Sequence, residues 1–164
     1  MSIEIRLDEW APLDGSLPTE PNDDTVYVVP TRPIIDGKID KYPLYTDHVR
    51  YLPKAARAES APVTFSIPEG GRNFISEFSA DVETWQLALA VATILNDWLI
   101  FTVGMYIGSR AKSRGDTIEQ AEKLPLRVTV AETDKKGRPL RTFTVEGAGD
   151  EVIEALRQLQ AQER

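Results

Sequence analysis

The stretch ETWQLALAVATILNDWLIFTVGMYIGSRAKSR, residues 83–114, decides how this chain folds. From Trp85 to Ile107 it is long and apolar enough to cross a hydrocarbon core of about 30 Å as a helix, and Arg110, Lys112 and Arg114 follow directly. Against a membrane span stands the central pair Asn96-Asp97, where a carboxylate costs about 2.5–3.5 kcal/mol even on a lenient insertion scale. A break at that pair is a further reading: Asp97 caps a second element, and WLIFTV, aromatic and β-branched, becomes a strand. The preferred expectation is one long apolar helix over residues 80–110, buried against a sheet or a second subunit. Ser79 supplies an N-cap, Asp81 and Glu83 complement the dipole of the first turn, and Arg110 and Lys112 complement its other end.

Projected at about 100° per residue, Gln86, Ala90, Thr93, Asp97, Gly104 and Gly108 fall on one narrow stripe, the rest of the helix being bulky and apolar. A stripe of small and polar groups admits a second backbone, and Gly104 and Gly108 repeat the small-xxx-small spacing of helix pairs. These six residues are therefore the expected interface of a homodimer, with Asp97 near its edge or paired across it with Arg110, Arg114 or Gln86. A thirty-residue helix would be about 45 Å long. That exceeds the diameter of a domain this small, so the helix protrudes, breaks or is covered by a partner.

On the N-terminal side, Ile3, Ile5 and Leu7 alternate with Ser2, Glu4 and Arg6, the period of a half-buried strand. Residues 8–24 are rich in Pro and Asp and predict a loop. TVYVV (25–29) and VTFSI (63–67) predict strands, and Asp36-Gly37 predicts a hairpin between isoleucines. The prolines between residues 41 and 62 argue against any long regular element there. On the C-terminal side, Asp116 or Thr117 caps a short helix, with Glu119 or Gln120 placed to complete a capping box. Residues 126–145 predict a hairpin with a turn longer than two residues, and residues 150–161 a terminal amphipathic helix whose apolar face is Val152, Ile153, Leu156 and Leu159.

The 164 residues, 41% of them hydrophobic, suit a single domain over residues 1–164. The expected class is α+β: a mostly antiparallel sheet with one long apolar helix and a C-terminal amphipathic helix. Without cysteine there are no disulfides, thiolate zinc sites or cysteine nucleophiles. A net charge of -7 repels a phosphate backbone, so no nucleic-acid partner is expected. The opening MSIEIRLDEW lacks the basic start and apolar run of a secretory signal, so a cytoplasmic location is expected, with membrane association through a helix at 84–108 as the alternative.

Chemistry-bearing residues are sparse. His48 is the single histidine, and although Asp47, Tyr45 and Tyr51 lie close in sequence, adjacent residues of a strand point to opposite faces. PEGGR (68–72) has the amides and the arginine of a small anion site but no phosphate-loop spacing, and reads as a turn. Asp23, Asp24, Asp36 and Asp40 match no calcium loop and read as a solvated acidic face. Arg110, Lys112 and Arg114 have a sufficient reason in the helix C-terminus. The expectation is a chain with no catalytic residue, no cofactor and no metal, and carboxylate-only catalysis is the remaining enzymatic alternative.

The second half also carries a likeness. An Ala/Leu/Val-rich helix (WQLALAVATILNDWL), a basic link (SRAKSR), a strand (LRVTV), a Gly-Arg turn (DKKGRPL), a strand (RTFTVEG) and a terminal helix (DEVIEALRQL) follow in an order that resembles the effector-associated constant component proteins of bacterial conflict systems. IEIRL at residues 3–7 is a further match, while residues 8–68 depart from the pattern. The resemblance implies a small non-enzymatic adaptor, acting through protein–protein contacts in a defence or signalling system, and it carries no functional residue across.

Overall fold

The computed structural model describes residues 3–12, 15–30, 34–35, 38–39, 45–46, 49–67, 74–75 and 85–164. Along them run β1 (Glu4–Leu7), β2 (Val26–Val28), β3 (Ile34–Ile35), β4 (Lys38–Ile39), β5 (Tyr45–Thr46), α1 (Leu52–Ala58), β6 (Val63–Phe65), β7 (Phe74–Ile75), β8 (Trp85–Val91), α2 (Leu99–Arg114), α3 (Ile118–Ala121), β9 (Pro125–Thr133), β10 (Pro139–Ala148) and α4 (Gly149–Glu163). Six strands make one sheet in the order β1-β10-β9-β8-β2-β6. Pairing is antiparallel at β1/β10, β10/β9 and β8/β2 and parallel at β9/β8 and β2/β6. The class is α+β as expected, with a mixed sheet in place of a mostly antiparallel one.

The long helix expected over 80–110 is not formed. Residues 85–91 are strand β8, and the helix begins only at Leu99. The reason lies in side-chain size. Leu87, Leu89 and Val91 join the core under the helices, while Ala88 and Ala90 join a smaller cluster on the opposite face. Large and small residues alternate with period two, but both sets are apolar because β8 is covered on both faces, so hydropathy shows no alternation. The break does fall at Asn96-Asp97, with the strand before it and the helix after it, the reverse of the order in the broken-helix reading. The anchor considered over 84–108 is likewise absent as a helix, and no helix among the described residues is long and apolar enough to cross a membrane. Helices α2 and α3 form the crossover that the parallel β8/β9 pair requires.

The turn of residues 92–98 is held by side chains drawn from across the chain. Asn96 is 3% exposed. Its amide donates to the carbonyls of Asp23 (3.3 Å) and Thr25 (3.1 Å), and its Oδ1 accepts the Trp98 N–H at 2.8 Å. The Ile94 N–H donates to the Glu132 carboxylate at 2.6 Å, and the Gln160 amide donates to the carbonyls of Ile94 and Asn96, both at 3.0 Å. The buried polar groups that argue against a continuous apolar helix are thus satisfied within one chain. Asp97 itself is exposed.

Helix α2 buries Leu99, Thr102, Val103, Tyr106, Ile107, Arg110 and Ala111, one face at 3.6-residue spacing, and ends at Gly115 with φ 74°. Helix α4 buries Val152, Ala155, Leu156 and Gln160 and packs on β9 and β10. Arg141 fastens its last turn: the guanidinium meets Glu132 at 2.8 Å and Glu163 at 2.9 Å and lies 5.0 Å above the Phe143 ring. The hairpin expected over 126–145 runs from β9 into β10 through a turn in which Asp134 Oδ1 accepts the N–H groups of Lys136 and Arg138. Thr117 and Gln120 form the capping box of α3.

The other face of the sheet is covered by the loop after β1. Trp10 and Leu17 pack on Tyr27, Val29, Ala88, Ala90 and Ala131, the alanines leaving room for the loop. A helix missed in the Pro-rich segment, α1, has its proline in the first turn, where a missing N–H breaks no helical bond. The Asp36-Gly37 turn lies outside the described residues, although β3 and β4 on either side of it pair antiparallel.

Candidate interaction surface

Strand β1 is one edge of the six-stranded sheet. Its register opposite β10 is Glu4 to Glu146, Ile5 to Val145, Arg6 to Thr144 and Leu7 to Phe143. Val145 and Phe143 are buried beneath the helices, whereas their neighbours Ile5 and Leu7 on the same face are 44% and 62% exposed. The helical cover stops one strand short of the edge. The alternation of Ile3, Ile5 and Leu7 marks a strand correctly, but position at the edge leaves two of these three side chains in solvent.

On the opposite face of β1 the side chains are charged and paired. Arg6 meets Glu146 at 2.8 Å, Glu4 at 3.1 Å and Glu9 at 2.8 Å, and Arg127 reaches Glu146 from β9 at 3.2 Å. Partial burial pushes the Glu146 carboxyl up, but the hydrogen bonds and charges of Arg127 and Arg6 outweigh it and hold the group below the usual glutamate range. At its far end β1 turns away at Asp8, which has φ 55°, a value that Asp tolerates better than most residues. There the Asp8 N–H donates to the Thr142 carbonyl at 2.9 Å, and the Asp8 carboxylate accepts the Thr142 N–H at 3.0 Å. Together these features give an apolar pair on an open edge, bordered by ion pairs.

The six residues expected to form an interface are not brought together. Gln86 and Ala90 lie on β8, Thr93 and Asp97 in the turn, and Gly104 and Gly108 on α2. Ala90 is wholly buried inside the sheet, and Thr93 Oγ1 accepts the Leu95 N–H at 3.2 Å. The stripe exists only on a continuous helix, so it dissolves with that helix. Of the candidate chemical groups, His48, Asp47, Asp36, Asp40 and the PEGGR segment lie outside the described residues. Tyr51, Asp23 and Asp24 are exposed, and Arg110 is buried on α2 while Lys112 and Arg114 are exposed at its end.

No family model, curated protein or solved structure matches this chain. The resemblance of the second half also loses its opening member, because WQLALAVATILNDWL forms a strand, a turn and the first residue of a helix. The signal for the edge surface was present in the sequence as the alternation at residues 3–7. Its exposure was not, because which strand ends a sheet is set by pairing between distant segments.

Proposed function

We propose that this chain is a non-enzymatic binding module that engages another polypeptide through the open edge of β1. The observation that carries this reading is the exposure of Ile5 and Leu7 on an edge strand whose outer side has no neighbour among the described residues. Extended segments add to such edges through main-chain hydrogen bonds, while alternate side chains supply selectivity. The paired charges of Arg6, Glu4, Glu9, Glu146 and Arg127 form the polar border typical of a recognition surface. An adaptor role in a bacterial defence or signalling system, implied by the likeness of the hairpin and terminal helix to effector-associated constant component proteins, belongs to the same proposal.

The reading is tested by placing a photo-crosslinking amino acid at Leu7 in cells of the native host, with the same label at Lys54 on α1 as control. A defined adduct with a second polypeptide at position 7 but not at position 54 is expected. No adduct at position 7, or the same adducts from both positions, rejects the reading.

A further inference from the structure

Resting on the proposed binding role of the β1 edge, we propose that its occupant is a second copy of this chain, paired antiparallel with β1 about a twofold axis at Ile5. The argument begins with the ladder. In an antiparallel pair the residues facing each other alternate between those that exchange backbone hydrogen bonds and those that do not. Because the Asp8 N–H donates to Thr142, the residues of β1 that bond to β10 are Asp8, Arg6 and Glu4. The N–H and C=O groups of Ile5 and Leu7, and the C=O of Ile3, therefore point to the open side.

An incoming strand must use those three residues, and this restricts its register. For two copies of β1 related by a twofold axis, shifting the axis by half a residue sets odd residues against even ones, whose backbone groups face away. An axis at Glu4 places two Glu4 carboxylates opposite each other, and an axis at Arg6 places two Arg6 guanidinium groups opposite each other. An axis at Leu7 would need Asp8, where the strand turns away with φ 55°, so within the strand only the axis at Ile5 gives opposite charges, Glu4 against Arg6 twice, at pairs that lack backbone bonds and so bring side chains closest. The same register sets Ile5 against Ile5 and Ile3 against Leu7 on the helix-covered face, which extends the apolar core across the axis. The segment Ile3-Glu4-Ile5-Arg6-Leu7 is thus complementary to itself in apolar pattern, in charge and in hydrogen-bond direction at a single register.

The twofold axis stands perpendicular to the sheet, so both copies keep their helices on the same side and a twelve-stranded sheet results. Such a contact closes on itself, whereas pairing of β1 with the opposite edge, β6, of a neighbour would leave edges open for a third copy. Strand β1 carries neither proline nor a run of one charge sign, two devices by which edges avoid pairing. A strand pair this short buries less than the roughly 1,600 Å² of a standard interface, so dissociation on the order of micromolar is expected.

Sedimentation across a concentration series tests the proposal. The unmodified chain should pass from monomer to dimer. Ile5→Pro removes an N–H that points away from β10, so it should sediment as a monomer with an unchanged circular dichroism spectrum. Glu4→Arg sets like charges against each other without altering the backbone and should also lose the dimer, which covers the case in which the proline variant fails to fold. Since the chain has no cysteine, Ile5→Cys should yield a disulfide dimer on mild oxidation, the Cα separation of such a pair being about 5.5 Å. Leu140→Cys, at a position on β10 more accessible than Ile5, should not. A monomer at every concentration, or a dimer that survives both Ile5→Pro and Glu4→Arg, overturns the proposal. If a different polypeptide still crosslinks at Leu7 in that case, the binding role stands and only its occupant changes.

Discussion

Asn96 shows how one polar residue determines the path of an apolar segment. A helix through residues 80–110 would carry its amide into the core or into lipid without partners, whereas the turn gives it two carbonyls and one N–H. Asn96→Ala leaves the buried Thr25 carbonyl and the part-buried Asp23 carbonyl and Trp98 N–H without this partner and is expected to lower stability by about 1–3 kcal/mol. Asn96→Asp should be worse at neutral pH, since a carboxylate would then face two carbonyl oxygens. Urea unfolding of the three proteins under identical buffer checks both statements. Gly137, at the hairpin turn, is a second such residue. Its φ is 81°, and a Cβ there would stand 1.8 Å from the Pro18 carbonyl oxygen of the loop that covers the sheet. Gly137→Ala must displace either the turn or the loop, so a loss of at least about 1 kcal/mol is expected in the same assay.

At the scale of elements, α2 makes the opposite prediction for its own glycines. A Cβ at Gly104 or Gly108 would meet nothing within 4 Å, and both residues lie off the buried face. Gly104→Ala and Gly108→Ala should each stabilise the chain by about 0.5–1 kcal/mol through reduced freedom of the unfolded backbone, read as a rise in melting temperature. A fall would mean that another surface lies against them. The elements legible in the sequence were those whose two faces differ. The hairpin, α4 and the capping box of α3 follow from alternation, helical spacing and the Thr117–Gln120 pair. Strand β8 was illegible to hydropathy because Leu87, Leu89 and Val91 and the intervening alanines are all apolar, and only size separates them. Misreading β8 hid the parallel β8/β9 pair as well, since a crossover is recognised only when a strand precedes the helix. Helix α1 was hidden by a proline that starts a helix here rather than ending one.

At the scale of the whole molecule, carboxylates with depressed pKa values tie elements distant in sequence, and this sets the response to acid. The Lys123 hydrogen bond holds Asp150 low at the start of α4, and the Arg141 hydrogen bond does the same for Glu163 at its end. In the hairpin turn the Arg138 N–H does so for Asp134, and at β1, β10 and β9 partial burial of Glu146 is outweighed by Arg127 and Arg6. Each group is charged to lower pH when folded than when unfolded, so below about pH 5 the unfolded chain binds more protons and stability falls as pH drops through the folded values. Above that range these contributions are complete and flat up to neutrality. Lys123, whose pKa is raised by Asp150, contributes below its ordinary value near 10.5 and so adds no slope in the acid range. Relief of the repulsion behind a net charge of -7 acts in the other direction, but over exposed charges that salt screens. The expected result is a urea midpoint nearly constant from pH 7 to 5 and falling toward pH 3, the exposure of these groups keeping each contribution small. In Glu146→Gln the midpoint at pH 7 should be lower and the acid slope shallower, because one of the titrating groups is gone. Equal slopes for the two proteins would show that the Arg6–Glu146–Arg127 cluster does not couple β1 to the sheet, and the support of the edge would then rest on its ladder with β10.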